Sequence, residues 1–348
     1  MRTAIVGFPQ TGKTALYKAL CGPQAHAEAY GAHVGVARVP DARLDAVAGI
    51  YQPKKTTQVA LEFVDSPALL NEPEKDAAVF GQVRGAEAFA HVVRVFGEDV
   101  DPARDIERLE TEFLLVDLDT VGKRMEKLER DMRKSRTPEL EHEHAILEKA
   151  RAALAASAPL RAAPLSAEER KALHGFMLLS AKPLLVVLNV GDDNAPALEE
   201  IPHKYKLDAV RQQAGVAVTE ICGKIESELA ELEPAEAAEF LVSYGLKESA
   251  RDRVLHTLYE LLGFITFFTV GEAECRAWAA PAGVMAVDAA GMVHSDFARR
   301  FIKAEVVQWK ELVECGGLAA ARDKGKVRLE GKEYRVHDGD VLYIRHTA

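Results

Sequence analysis

Gly7-Phe8-Pro9-Gln10-Thr11-Gly12-Lys13-Thr14 lies between a short apolar, β-favouring run at 3–6 and a helix-favouring stretch at 15–20. This octapeptide fits the pattern G-x-x-x-x-G-K-[ST] in the strand–loop–helix setting that a phosphate-binding P-loop requires. Its glycines let the backbone fold around phosphates, and the amino terminus of a helix presents unpaired N–H groups at its positive end. The sequence therefore predicts a site for the phosphates of a nucleotide.

The chemistry of this site can be predicted residue by residue. Lys13 is the predicted catalytic residue, because its ammonium group is expected to reach the β- and γ-phosphates. The Thr14 hydroxyl and Asp65, which ends an alternating run at 59–64, are the predicted ligands of Mg²⁺ or of its water. We therefore expect Mg²⁺ as cofactor and ATP or GTP as ligand. The predicted phosphate-binding residues are Gln10, Thr11, Gly12, Lys13, Thr14 and Ala15.

Two later strands predict the end of the site that holds the base. The continuous apolar run at 183–188 indicates a buried parallel strand and leads into Asn189-Val190-Gly191-Asp192. GTP-selective proteins carry Asn-Lys-x-Asp at this point, so Val190 weakens the case for guanine. A further strand at 216–221 leads into a loop that could close over the base. The predicted base-binding residues are Asn189, Val190, Asp192, Cys222 and Gly223.

The composition excludes several classes of function. Of 348 residues, 48% are hydrophobic and 28% are charged, which is typical of a globular protein. The formal charge of −10 argues against bulk electrostatic binding of nucleic acid, and no DNA partner is expected. The sequence contains no run of about 18 apolar residues, so no membrane span is predicted. The start of the chain lacks a secretory layout and the four cysteines are widely spaced, so we expect a cytoplasmic protein without structural zinc or disulfides.

A helical insertion interrupts the predicted nucleotide domain. Apolar residues recur from Leu114 to Met132 with alternating spacings of four and three, which predicts a helix with a heptad-like seam. Residues 135–138 break this helix, and leucines between 140 and 154 mark a second, antiparallel one. From Gly263 onward the pattern changes to short strands, including 334–336, with one or two helices, which matches a β-grasp fold.

Taken together, these features resemble the YchF/Obg-like ATPase family of P-loop proteins, and the resemblance covers essentially the whole chain. In the first part of the chain it is carried by Val34-Gly35-Val36, residues 39–45, Pro53-Lys54-Lys55, Phe63-Val64-Asp65 and His91-Val92-Val93-Arg94. In the last part it is carried by residues 267–272, 276–278, 294–297, 301–305 and 338–341.

The resemblance implies an α/β P-loop NTPase fold with a mostly parallel sheet, helices on both faces, an inserted antiparallel helical arm and a C-terminal α+β domain of the β-grasp TGS type. The implied domains are residues 1–100 with 179–262 for the P-loop domain, 101–178 for the coiled-coil insertion and 263–348 for the TGS domain. It also implies a monomer that associates with the ribosome or ribosomal RNA, without a membrane partner. The family prefers ATP through Asn-x-x-Glu; here Asn189 and Asp192 match, and the shorter carboxylate leaves the base open.

Three departures from the family pattern fall where the γ-phosphate and water are handled. The family's first switch has a threonine that is expected to touch Mg²⁺, and the matching residue here is Ala29. The glycine of Asp-x-x-Gly in the second switch is Ala68, while Leu69 keeps the family's hydrophobic residue. The family's proposed catalytic histidine is missing, because the segment after Phe96 contains none.

These departures lead to the hypothesis that the chain binds a nucleotide and hydrolyses it slowly, unless a partner supplies the missing groups. In this first interpretation it is a nucleotide-dependent regulatory factor of translation. The alternative is a catalytically degenerate interaction module that uses the nucleotide only as a structural ligand. A different affinity for ribosomes with triphosphate and diphosphate would separate the two.

Overall fold

The computed structural model describes residues 1–22, 33–70, 72–229, 232–244, 246 and 248–347. Its strands are β1 (Arg2–Val6), β2 (His33–Arg38), β3 (Lys55–Thr57), β4 (Ala60–Asp65), β5 (Ala88–Val95), β6 (Leu184–Val190), β7 (Val216–Ile221), β8 (Phe264–Thr269), β9 (Glu274–Pro281), β10 (Phe301–Gln308), β11 (Arg328–Glu330) and β12 (Asp340–His346).

The helices include two long ones in the middle of the chain and many short ones. They are α1 (Lys13–Cys21), α2 (Ala42–Tyr51), α3 (Pro73–Val83), α4 (Pro102–Lys134), α5 (Pro138–Ala155), α6 (Ala167–Leu173), α7 (Ile201–Lys204), α8 (Asp208–Arg211), α9 (Gly223–Leu229), α10 (Pro234–Ser243), α11 (Ala250–Leu261), α12 (Ala286–Val293), α13 (Ser295–Arg299), α14 (Trp309–Cys315) and α15 (Leu318–Asp323). No helix within the described residues is both long enough and apolar enough to cross a bilayer.

The chain forms two compact units, of which the first comprises Met1–Ala37 and Glu62–Leu261. Its six-stranded sheet has the order β2-β4-β1-β5-β6-β7, and the pairs β1–β4, β1–β5, β5–β6 and β6–β7 are all parallel. Every residue of β6 is buried, as expected for a strand with helices on both faces. The carboxyl ends of β1, β4, β6 and β7 meet at one edge of the sheet, which is where ligands bind in such folds.

The insertion is a pair of helices, α4 and α5, that bury a shared apolar seam. Val121, Met125 and Leu128 of α4 form one cluster with Ile146 and Leu147 of α5. Helix α4 ends at Lys134 and α5 begins at Pro138, so the predicted break is confirmed.

A buried carboxylate fixes the base of the insertion to the sheet. Asp117 of α4 is fully buried and accepts hydrogen bonds from the backbone N–H groups of Leu179 (2.8 Å) and Ser180 (2.7 Å). These residues lie just before β6, so the helix sets the path by which the chain returns to the sheet. Burial raises the pKa of Asp117, while the two backbone donors and Ser180 oppose that shift.

The second unit comprises Arg38–Leu61 and Leu262–Ala348. Its sheet has the order β11-β10-β12-β8-β9-β3, with β8 antiparallel to β9 and parallel to β12. A hairpin, the helix α12 and a returning parallel strand form the β-grasp arrangement. The predicted strand at 334–336 is wrong, since that segment forms only an isolated bridge from Arg335 to Met285.

The structure differs from the predicted domain boundaries at residues 38–61. These residues were assigned to the P-loop domain, but the structure groups them with the C-terminal unit. The physical reason is that β3 pairs with β9 over Lys55–Thr57, and that Arg43 forms an ion pair with Asp338. The division into three named domains otherwise stays a prediction.

Candidate nucleotide-binding site

The P-loop joins β1 to α1 through a backbone that only glycine can follow at two points. Gly12 has a φ of 93°, and a Cβ built on it would lie 2.2 Å from Nδ2 of Asn189. Gly7 has a φ of 151°, and its Cβ would lie 2.6 Å from the carbonyl oxygen of Val92. Gln10 adopts a left-handed φ of 61°. At these two glycines the loop therefore packs too closely against other backbone and side-chain atoms to leave room for a side chain.

The Lys13 side chain lies along the inside of this loop. Its Nζ donates to the carbonyl oxygens of Gly7 and Phe8, at 3.0 Å each, and Thr11 Oγ1 donates to the same Phe8 oxygen at 3.0 Å. Burial lowers the pKa of Lys13, and the nearby Asp65 carboxylate opposes that shift. The loop thus holds a poorly solvated ammonium group, for which charged phosphate oxygens are stronger acceptors than carbonyls. Ala15 follows in the first turn of α1.

Thr14 and Asp65 bring two oxygen ligands together beside the loop. Thr14 Oγ1 donates to Oδ2 of Asp65 at 3.3 Å, and Asp65 is buried at the end of β4. This donor set fits Mg²⁺, which takes oxygen ligands and keeps several waters alongside one or two protein groups and the phosphates. The described part of the chain has no cluster of three or more His, Cys, Asp or Glu residues that could hold a metal alone. Thr14 and Asp65 would therefore hold Mg²⁺ together with the nucleotide.

Asn189 connects the P-loop to the turn after β7. Its Nδ2 donates to the carbonyl oxygen of Thr11 at 2.9 Å, and its Oδ1 accepts from the backbone N–H of Gly223 at 3.0 Å. The side chain is buried, and both of its polar atoms are used inside the protein. Asn189 thus positions two parts of the predicted site relative to each other.

The other predicted base-binding residues fall into two groups. The side chains of Val190 and Cys222 are buried in the core of the first unit, so any contact with a base falls to their backbone groups. Asp192 is exposed and forms an ion pair with Lys224, which follows Gly223 at the start of α9. The sequence analysis missed Lys224; a lysine directly after the glycine of the predicted base loop was the available signal.

The segment that matches the second switch is held against β1 and the P-loop. Ser66 donates to the carbonyl oxygen of Ile5 from both its N–H (3.2 Å) and its Oγ (2.7 Å). The N–H of Leu69 donates to the carbonyl oxygen of Gly7 at 3.2 Å, and the Leu69 side chain is fully buried. Leu69 therefore presents no group to a water molecule at the phosphates. Ala29 lies outside the described residues.

Comparison with known proteins agrees with this geometry. A family model described as "50S ribosome-binding GTPase" matches residues 2–117, and the model YchF-GTPase_C, described as "Protein of unknown function (DUF933)", matches residues 264–347. The curated "Ribosome-binding ATPase YchF" of Bacillus subtilis is 38% identical to the chain, and the alignment covers 100% of both. The protein of the same name from Escherichia coli O157:H7 is 35% identical, with 98% of each covered.

The chain belongs to the YchF family. The solved structure of the Schizosaccharomyces pombe YchF GTPase superposes on it with a TM-score of 0.86 at 26% identity, covering 99% of this chain and 97% of that one. The family and the fold class predicted from the sequence are therefore confirmed. The roles of the individual site residues stay predictions.

His91, the first residue of the His-Val-Val-Arg segment that carries the resemblance to the YchF family, lies buried beside the P-loop. It is fully buried in β5, and neither ring nitrogen has a hydrogen-bond partner among the described residues. Its Cδ2 lies 3.6 Å from the position that a Cβ on Gly7 would take. Burial, with a smaller contribution from Lys13, lowers the pKa of His91 to about 3.

This buried histidine predicts that the protein loses stability as the pH falls. The unfolded chain binds a proton at His91 near pH 6.5, whereas the folded protein binds it only near pH 3. Between pH 7.5 and pH 5 the His91→Leu variant should therefore lose about 2 kcal/mol less unfolding free energy than the original chain. Denaturant unfolding at the two pH values measures this difference. His203→Leu, which removes an exposed histidine, is the control, and an unchanged pH dependence in His91→Leu would contradict the prediction.

Proposed function

We propose that the chain is a nucleotide-dependent, ribosome-binding factor that binds ATP with Mg²⁺ at the P-loop and acts as a cytoplasmic monomer. The observation that carries this proposal is the convergence of the Lys13 ammonium, the Thr14 hydroxyl and the Asp65 carboxylate at the amino terminus of α1. Such a site binds a polyphosphate with its metal. The proposal of ribosome binding rests on the relatives, whose names state that they bind ribosomes.

The ion pair between Asp192 and Lys224 favours adenine over guanine. In a guanine-selective site, the carboxylate at this position accepts hydrogen bonds from N1–H and the 2-amino group of the base. Here the Lys224 ammonium already occupies and neutralises the Asp192 carboxylate. The ion pair lowers the pKa of Asp192 and raises that of Lys224. Guanine would have to displace the lysine, whereas adenine carries no N1–H and does not require a free carboxylate.

Slow hydrolysis follows from what surrounds the phosphates. Phosphoryl transfer depends on stabilising charge and on positioning the attacking water. Lys13 and Mg²⁺ would supply the first of these. Within the described residues no side chain is seen that could position the attacking water, because Leu69 is buried in the core and the segment 97–101 contains no histidine. A partner that binds near the loop would supply the missing group.

The first prediction tests the nucleotide site. Replacing Lys13 by Met removes the ammonium group that the loop holds, and charge-assisted hydrogen bonds contribute about 2 kcal/mol. The affinity for Mg-ATP, measured by calorimetry, should therefore fall about 30-fold. Lys18→Met, which changes an exposed lysine of the same helix, is the matched control. Equal affinities of Lys13→Met and the unchanged chain would refute the assignment of the phosphate site.

The second prediction concerns hydrolysis. In a single-turnover assay with labelled ATP, the purified chain should retain most of its bound ATP over many minutes, because no water-polarising side chain is found near the loop in the part of the chain that the structure describes. Adding ribosomes should speed cleavage in the original chain and leave Lys13→Met unchanged. Rapid cleavage by the isolated chain, abolished by Lys13→Met, would overturn the proposal of slow hydrolysis.

The third prediction concerns the choice of base. Lys224→Ala leaves the Asp192 carboxylate free to accept from guanine, so the ratio of GTP affinity to ATP affinity should rise about tenfold. The double variant Asp192→Ala, Lys224→Ala removes the acceptor again and should return the ratio toward its original value. Calorimetry with both nucleotides measures the cycle. If the double variant keeps the raised ratio, Lys224 acts without Asp192 and the explanation is wrong.

A second candidate function is supported by the buried Leu69 and by the bonds that hold residues 66–69 to β1 and the P-loop. With a fixed second switch, the nucleotide would serve only as a structural ligand of an interaction module. Co-sedimentation with ribosomes separates the two functions. A nucleotide-dependent factor binds ribosomes differently with ATP and ADP, and a structural module binds them equally with both.

A further inference from the structure

A cavity of about 510 Å³ lies at the edge of the first unit's sheet that is opposite the P-loop. It is lined by residues 84–87 just before β5, by 181–183 just before β6, and by parts of the segment 160–178 that leads from the helical insertion to the sheet. Both strands run away from this edge toward the nucleotide site. The cavity is therefore separate from the P-loop, and its volume lies in the range of about 300 to 1,000 Å³ that small-molecule sites occupy.

One wall of the cavity is apolar and adaptable. Leu160, Leu173 and Leu178 are buried in it, and Leu165 is half-buried. Met177 also lines it, yet its side chain is 50% exposed, and its backbone is left-handed with φ 51° and ψ 41°. That conformation caps the short helical turn at 174–176 and costs a residue other than glycine about 1 kcal/mol or more. A flexible thioether at the mouth can fit ligands of different shape.

The cavity is also lined by three cations that form no direct ion pair within the described residues. Arg84, Arg170 and Lys182 all line it, and none of them forms an ion pair with a carboxylate among the described residues. Arg170 donates to the carbonyl oxygens of Leu160 (3.1 Å) and Ala163 (2.7 Å). Lys182 donates to the carbonyl oxygen of Arg84, and the Arg84 side chain donates to the hydroxyl of Thr120. Both of these oxygens are uncharged. Asp117 acts electrostatically on Arg84 and Lys182, but within the described residues no carboxylate forms a direct ion pair with any of the three cations.

The ammonium group of Lys182 is poorly solvated. Its ammonium group lies 5.3 Å from the centre of the Phe89 ring, and burial lowers its pKa to about 8. Asp117 opposes this shift, but that carboxylate is already engaged with two backbone N–H groups. Glu87 is the only acidic residue of the lining, and it is exposed. An anionic group beside Lys182 would relieve the cost of its burial.

We propose that this cavity binds an amphipathic anion, a carboxylate on a hydrocarbon body. The body lies against Leu165, Leu173 and Met177, and the carboxylate is held by Lys182 with Arg84 and Arg170 beside it. This site is independent of the proposed nucleotide function, because it shares no residue with the P-loop.

Octanoate and octan-1-ol are a matched pair of probes that differ in charge. Binding to the full-length chain is measured by calorimetry and by displacement of the fluorescent sulfonate 8-anilinonaphthalene-1-sulfonate. Octanoate should bind about tenfold more tightly than octan-1-ol, because charge-assisted hydrogen bonds contribute about that factor or more. Lys182→Met should remove this advantage, whereas Lys171→Met, at an exposed lysine outside the cavity lining, should keep it.

Two variants test whether the probes occupy the cavity itself. Ala181→Trp places a large ring on an exposed position of the lining, and Leu165→Trp does so on the apolar wall. Each variant that keeps its cooperative thermal transition and its ATP affinity should lose octanoate binding. Equal binding of octanoate and octan-1-ol, an unchanged octanoate affinity in Lys182→Met, or octanoate binding that survives both tryptophan variants would overturn the proposal. Displacement of ATP by octanoate would also overturn it, since the two sites lie at opposite edges of the sheet.

Discussion

The site depends on one side chain, the Asn189 amide, which joins the P-loop to the turn after β7. It donates to the Thr11 carbonyl and accepts from the Gly223 N–H, so it fixes two backbone segments that come from opposite ends of the first unit's sequence. The same close approach forbids a Cβ at Gly12. A P-loop has no regular backbone pairing along its length, and its shape must be held from outside. Here the buried Asn189 amide does this from β6, which is separated from β1 by β5.

The predicted site has one part that the sheet fixes and another part that lies on the surface. Lys13, Thr14 and Asp65 are held by the loop, by α1 and by the end of β4, so their geometry is set by the sheet. Asp192 and Lys224 are exposed, and each follows the last strand residue by only a few positions. In the proposed function, phosphate binding therefore follows from the fold, while the choice of base would rest on two surface side chains that can change without disturbing the core.

Sequence patterns predicted the parts of this structure that are local. The P-loop needs only neighbouring residues, and the seam of α4 and α5 needs only a repeat, so both could be located before the structure was known. The brace by Asn189 could not be predicted, because its acceptor on Thr11 lies 178 residues away. Likewise β3 has three polar residues and no alternating pattern, and tertiary contacts such as its pairing with β9 and the Arg43–Asp338 ion pair place 38–61 in the second unit. The burial of His91 beside the loop could not be predicted either, since it is a tertiary property.

The same distinction bears on the proposal that the chain binds phosphates but activates water poorly. The predicted phosphate-binding residues lie within one continuous stretch, residues 10–15, and other segments contribute only support such as the Asn189 amide. A group that positions water has to come from a separate segment, and the candidate segment here is residues 66–69. Its Leu69 side chain is buried in the core, and the Leu69 N–H donates to the Gly7 carbonyl oxygen. This hydrogen bond fixes residues 66–69 in the arrangement that keeps the Leu69 side chain away from the predicted phosphate position. The geometry that holds residues 66–69 in place thus also keeps the Leu69 side chain in the core, which supports the proposal of slow hydrolysis.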